Sequence, residues 1–219
     1  TYSIVIAGND NFARCSFDGK TNLLSVEYLK VTDKVSAINA MFRGCSGLIS
    51  LNLSGFDTAN VTNMSSMFQN CLNLTSLDLS SFDTAKVTYI EHMFNGCSSL
   101  TSLNVSSFDT AKVTKMATMF YNCPKLTSLD LSGFDTAEVT LIQTMFEGCS
   151  SLTSIDLSSF DTTKVTNMAY MFRDCKKLTS LDVSGFNTTN VTNMYGMFQN
   201  CSNLTDLDVS GFDTAKVTS

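Results

Sequence analysis

Eight cysteines and a single histidine, His92, are the side chains here most suited to metal or nucleophile chemistry. Seven of those cysteines, Cys45, Cys71, Cys97, Cys123, Cys149, Cys175 and Cys201, stand 26 residues apart. A zinc site draws its ligands from close pairs such as CxxC, or from cysteine beside histidine, whereas these thiols come singly. A catalytic thiol needs a base next to it, and one imidazole cannot serve a whole column. Disulfides are a closer alternative, because stacked chain segments about 4.8 Å apart fall within the roughly 4.4–6.8 Å between bridged Cα atoms. Parallel side chains and an odd number of column members argue against such pairing. The reading that fits is structural: a core ladder of small buried residues, a place that free cysteine fills well. No catalytic residue, metal centre or cofactor is expected.

Carboxylates form the other recurring set. One column reads Asp78, Asn104, Asp130, Asp156, Asp182 and Asp208, flanked by serines. Its residues alternate with leucines, so they should face outward, and they are the candidate binding face. A second column includes Asp83, Asp109, Asp135 and Asp161. Aspartate in a turn most often accepts backbone N–H bonds, and the alternative here is Ca²⁺ bridging oxygens of adjacent units. Lys86, Lys112, Lys164 and Lys216 lie three residues after members of this second column and are placed to screen it.

The elements that must position these residues follow from the periodicity. Each of these seven cysteines lies four residues after a Met and three after a Phe, as in Met67-Phe68, and a second phenylalanine such as Phe82 recurs at the same interval. A strict period in the 20–50 residue range is the mark of a solenoid, whose units bury their apolar faces only against neighbours. In VTNMSSMFQNC the residues Val61, Met64, Met67, Phe68 and Cys71 fall at steps of three and four, which predicts a short amphipathic helix. Thr62 is its expected N-cap and Asn70 its left-handed end. The methionines sit on the same stripe and belong to the core. LTSLDLS alternates Leu77 and Leu79 with polar residues, the pattern of a strand buried on one face. SFDTAK then turns the chain back.

The expected architecture is α/β: a right-handed leucine-rich-repeat solenoid with a parallel β-sheet on one face and short helices on the other. Residues 35–216 hold seven repeats, and 217–219 are expected to open an eighth that continues beyond Ser219. Residues 1–34 depart from the repeat. Alternation at Tyr2, Ile4, Ile6 and at Leu24, Val26, Tyr28, around FDGKTN, predicts an N-terminal β-hairpin cap.

With 43% hydrophobic residues the chain can bury one sizeable core. Its net charge of −6 argues against nucleic-acid binding, which needs a basic face for phosphates. No run approaches the 18 apolar residues of a membrane span, so membrane insertion by these residues is not expected.

A unit of the form MFxxCxxLxxLxLSxFDTxxVTxM, seen in MFQNCLNLTSLDLSSFDTAKVTYI at 67–90, resembles the BspA-like leucine-rich repeats of bacterial surface proteins. It is also similar to a related short-repeat family of Firmicutes and mycoplasmas. The resemblance covers residues 35–219 and implies a cell-surface or secreted location and a role in adhesion to an extracellular protein or glycan. The family has no shared site motif, so the resemblance carries over no binding residue. The expectation is a non-catalytic recognition module, with a passive spacer, one that Ca²⁺ would stabilise, as the alternative.

Overall fold

Backbone hydrogen bonds between successive coils define this fold better than its strands do. The computed structural model describes residues 2–5, 17–31 and 35–219. Four strands are regular: β1 (Tyr2–Val5), β2 (Ser25–Val31), β3 (Ser50–Leu51) and β4 (Gly55–Phe56). β2 pairs in parallel with β1 on one side and with β3 and β4 on the other. An N-terminal hairpin would require β1 and β2 to run antiparallel, so that expectation is corrected. The segment instead begins the stacking: Tyr2 pairs with Val26, and Val26 with Leu51. Phe17 lies flat on Phe42 at 5.2 Å, as a member of the same ring stack. Ile6 and Cys15 lie outside the described residues.

The expected helices are also corrected. Residues 64–71 form three overlapping turns, in which Met67, Gln69 and Cys71 donate N–H bonds to the carbonyls three residues back. The residues between them, Met64, Ser66, Phe68 and Asn70, donate instead to Tyr89, Glu91, Met93 and Asn95 of the following coil, at 2.7–3.0 Å. Every N–H in this stretch is therefore satisfied, alternately within the coil and across to the next. Left-handed residues at Ser66 (φ 59°) and Asn70 (φ 59°) prevent the chain from winding on as a helix. The apolar spacing of three and four survives because each tight turn brings round the same inward face.

Positive φ at Asn70 was legible, and Gly44, Gly96, Asn122, Gly148, Asp174 and Asn200 share it. A second left-handed column runs through Ala40, Ser66, His92, Thr118, Thr144, Tyr170 and Gly196. Thr62 has no helix to cap; its hydroxyl donates to the Ser36 carbonyl of the preceding coil at 3.2 Å.

Parallel bridges run continuously through Ala37, Asn63, Tyr89, Lys115, Leu141, Asn167 and Asn193, beside these turns. The segment expected to carry the sheet is bonded more sparsely, with bridges at Asn104–Asp130 and Ser180–Asp206. Its alternation holds: Leu77 and Leu79 are buried while Ser76, Asp78 and Ser80 are exposed.

Inside, Phe42, Phe68, Phe94, Phe120, Phe146, Phe172 and Phe198 stack nearly parallel, with ring centroids 5.5–5.8 Å apart. All the methionines but Met194 are buried around them. A further internal column was not expected. Thr58, Thr84, Thr110, Thr136, Thr162 and Thr188 are buried, and each hydroxyl donates to a carbonyl of the next coil at 2.8–3.0 Å. Buried polar groups must be paired, and here the pairing ties one coil to the next. Replacing Thr110 with Val removes its bond to the Asp135 carbonyl without changing side-chain volume much. The expected loss is about 1–3 kcal/mol, read from denaturant midpoints, with Thr110→Ser retaining most of the stability.

Candidate functional site

The cysteine ladder is part of the interior. Cys45 through Cys175 are buried and Cys201 is half-buried, all as free thiols. Each Sγ donates to the carbonyl of the stacked phenylalanine in the preceding coil, from Cys45 to Phe17 at 3.0 Å through Cys201 to Phe172 at 3.0 Å. Burial pushes the Cys45 thiol up to about 11, and raises Cys97, Cys123 and Cys149 well above the usual thiol range. A thiol held protonated in this way is neither nucleophile nor metal ligand.

The column Asp78, Asn104, Asp130, Asp156, Asp182 and Asp208 is brought together on one exposed face. Asp78, Asn104, Asp130, Asp182 and Asp208 line shallow grooves. One is formed by Ser76, Asp78, Ser102, Asn104, Ser128 and Asp130, another by Ser180, Asp182, Asp206 and Asp208, and a third lies beside Asn52, Ser54 and Asp78. Every member uses Oδ1 to accept the N–H of the serine two residues on, at 2.8–3.0 Å. Those bonds answer how like charges can stack along the column. Bonding to the serine N–H is the main cause holding the Asp78, Asp156 and Asp208 carboxyls below their ordinary value. For Asp130 and Asp182 the serine hydroxyl is the larger cause. Neighbouring carboxylates oppose the shift at Asp156 only as a minor cause. These groups stay ionised at neutral pH, so they offer acceptor oxygens and no acid for proton transfer.

Asp83, Asp109, Asp135 and Asp161 are exposed and likewise close turns, each accepting the N–H two residues on at 2.8–3.0 Å. Among the described residues, no group of three or more His, Cys, Asp or Glu side chains is gathered to hold a metal ion. Lys86 bonds to Asn60 Oδ1 and Lys164 to Glu138, both at 2.6 Å, and Lys216 to Asn190 Oδ1 at 2.8 Å. The Asp161 carboxyl is held below its ordinary value by the Thr163 hydroxyl and N–H, with a smaller contribution from the Lys164 charge. His92 contacts Thr118 and Asn95 rather than any thiol.

A stack of parallel coils with a phenylalanine spine, buried thiols and one uniform polar face defines a leucine-rich-repeat solenoid. Within that class the chain belongs to the family described as "Mycoplasma protein of unknown function, DUF285", which matches residues 12–129 and 125–219. Among solved structures it is similar to the Treponema pallidum leucine-rich repeat protein TpLRR. That match has 22% identity and a TM-score of 0.56, over 84% of this chain and 78% of that one, and it supports the fold. Two further matches have lower scores. A leucine-rich repeat protein from Eubacterium ventriosum has 18% identity and TM-score 0.39, over 82% of this chain and 44% of that one. A leucine rich cell surface protein from Faecalibacterium prausnitzii has 17% identity and TM-score 0.35, over 89% and 76%. No curated protein matches the sequence. Among the described residues, no helix is long and apolar enough to cross a membrane.

Proposed function

We propose that this chain is a non-catalytic recognition module of a cell-surface or secreted bacterial protein, binding a host protein or glycan through its Ser–Asp face. The observation that carries this reading is the geometry of that face. Asp78, Asp130, Asp156, Asp182 and Asp208 hold ionised carboxylates in one line on an exposed face, with open grooves beside Asp78, Asp130, Asp182 and Asp208 and the coils beneath locked by backbone and threonine bonds. A rigid scaffold presenting repeated acceptors suits an extended ligand rich in donors, such as a hydroxyl-bearing glycan or a Lys- and Arg-bearing protein segment.

Titration of the chain over immobilised glycans and matrix proteins should give saturable binding. The double substitution Asp156→Asn, Asp182→Asn should weaken it by about five-fold or more while leaving the melting temperature close to its original value. Absence of saturable binding to any of these surfaces would make the module a spacer that displays a neighbouring domain.

A further inference from the structure

Two amides interrupt the charge of the Ser–Asp column and change what it can hold. Asn52 and Asn104 stand in line with Asp78 and Asp130, and all four are exposed. Asn104 accepts the Ser106 N–H at 3.0 Å and the Ser106 hydroxyl at 2.7 Å, both through Oδ1. Asp130 accepts the N–H and hydroxyl of Ser132 through Oδ1 at the same two distances. The two side chains therefore share one orientation. Because a donated N–H must meet an oxygen, the atom turned away is NH₂ in Asn104 and a carboxylate oxygen in Asp130. Asn52 and Asp78 accept from Ser54 and Ser80 in the same manner, at 3.0 and 2.9 Å. The outer atoms thus alternate donor, acceptor, donor, acceptor from Asn52 to Asp130, and from Asp130 to Asp208 they are all acceptors.

That order selects the ligand group. Asn104 and Asp130 are bridge partners in adjacent coils, and bridged neighbours stand about 4.8 Å apart. One ligand oxygen can lie about 2.8 Å from both outer atoms, its two bonds opening at about 120°, near the tetrahedral angle. Such a group must accept from the amide and donate to the carboxylate, and a hydroxyl does both. An ammonium has no lone pair for the amide, and a carbonyl has no proton for the carboxylate. Asn52 with Asp78, and Asp78 with Asn104, repeat the seat, so hydroxyls can be taken in succession. Open grooves run beside these residues, one along Asn52, Ser54 and Asp78, the other along Asp78, Asn104 and Asp130. Between Asp156 and Asp182 a hydroxyl proton serves only one of two carboxylates, and that part of the face lacks the seat. Successive hydroxyls on one ligand are the chemistry of a pyranose chain.

We propose that Asn52, Asp78, Asn104 and Asp130 seat the hydroxyls of an uncharged glycan, with Asn104 as the specificity-determining residue. The inference rests on the reading of the Ser–Asp face as a recognition surface, and within that reading it selects glycan over protein.

Calorimetric titration of the 219-residue chain with chitotetraose, cellotetraose and lacto-N-tetraose tests the proposal, with pentalysine as a cationic probe. At least one neutral tetrasaccharide should bind. Asn104→Asp adds a charge but keeps the acceptor for the Ser106 N–H, so the melting temperature should hold. It should nevertheless weaken tetrasaccharide binding about five-fold or more. Asp130→Asn, the reverse exchange, should weaken it to a similar degree. Tetrasaccharide binding that Asn104→Asp leaves unchanged or strengthens overturns the assignment, as does no binding of any neutral tetrasaccharide. In that last case, saturable pentalysine binding that Asp156→Asn with Asp182→Asn weakens would still support recognition through the face. Silence of both probe classes overturns the hydroxyl seats and favours the spacer.

Discussion

Raising the pH from 8 to 10 under reducing conditions is expected to unfold this protein, far more steeply than an ordinary domain of its size. The cause is the cysteine ladder. In the unfolded chain the thiols ionise near pH 8.5. In the folded chain desolvation raises Cys71, Cys97, Cys123, Cys149 and Cys175 well above that. Below about pH 7.5 both states hold these protons and stability is complete. Above it the unfolded state sheds them and the folded state cannot, so stability falls as pH rises toward the folded values. Each such thiol contributes a slope of about 1.4 kcal/mol per pH unit, and these five together about 7 kcal/mol per unit. Domain stabilities are about 5–15 kcal/mol in all. Urea midpoints measured from pH 7.5 to 10.5 should collapse within one to two pH units. Cys97→Ala with Cys123→Ala should reduce the slope by about two-fifths, and a flat profile would remove the argument.

Phe120→Ala should cost about 3–5 kcal/mol, and its effect should spread beyond the site. Phe120 is fully buried, with its ring 5.7 Å from Phe94 and 5.8 Å from Phe146. In a solenoid each coil is stabilised by its neighbours, so a gap in the middle weakens the coupling between the two halves. The expected result is a lower midpoint together with a smaller denaturant m-value, or two resolved transitions. Phe198→Ala, at a ring only partly buried, should lower the midpoint less and leave one transition. Equal effects at both positions would contradict nearest-neighbour coupling.

The sequence made the repeat, the inward phenylalanines and the buried thiols legible, because a residue that packs against its own copy must recur in phase. It also marked the left-handed position at Asn70, where Gly, Asn and Asp alternate down the column and each tolerates positive φ. The second left-handed column was hidden, since Thr118, Thr144 and Tyr170 are residue types that rarely adopt it. Missing that column turned a run of tight turns into a helix, for the two share an apolar spacing of three and four. The Thr110 column was illegible for a related reason. A threonine between an aspartate and an alanine reads as a surface turn until its hydroxyl is seen reaching the next coil. On the candidate face, the positions of Asp78 and its equivalents were readable from alternation. The serine bonds that allow their charges to stack depended on backbone geometry.

Coil-to-coil bonding through the turns also gives the stack a direction. Met64, Ser66, Phe68 and Asn70 all send their N–H groups forward, and their counterparts in other coils do the same, with Thr88, Thr101 and their counterparts bonding backward. The excess of forward bonds aligns peptide dipoles along the long axis. Seen along that axis, the leading side of any such coil is a row of donors and its trailing side a row of acceptors. A coil added to the stack must therefore meet it with the matching edge, and a coil turned end over end would set donors against donors.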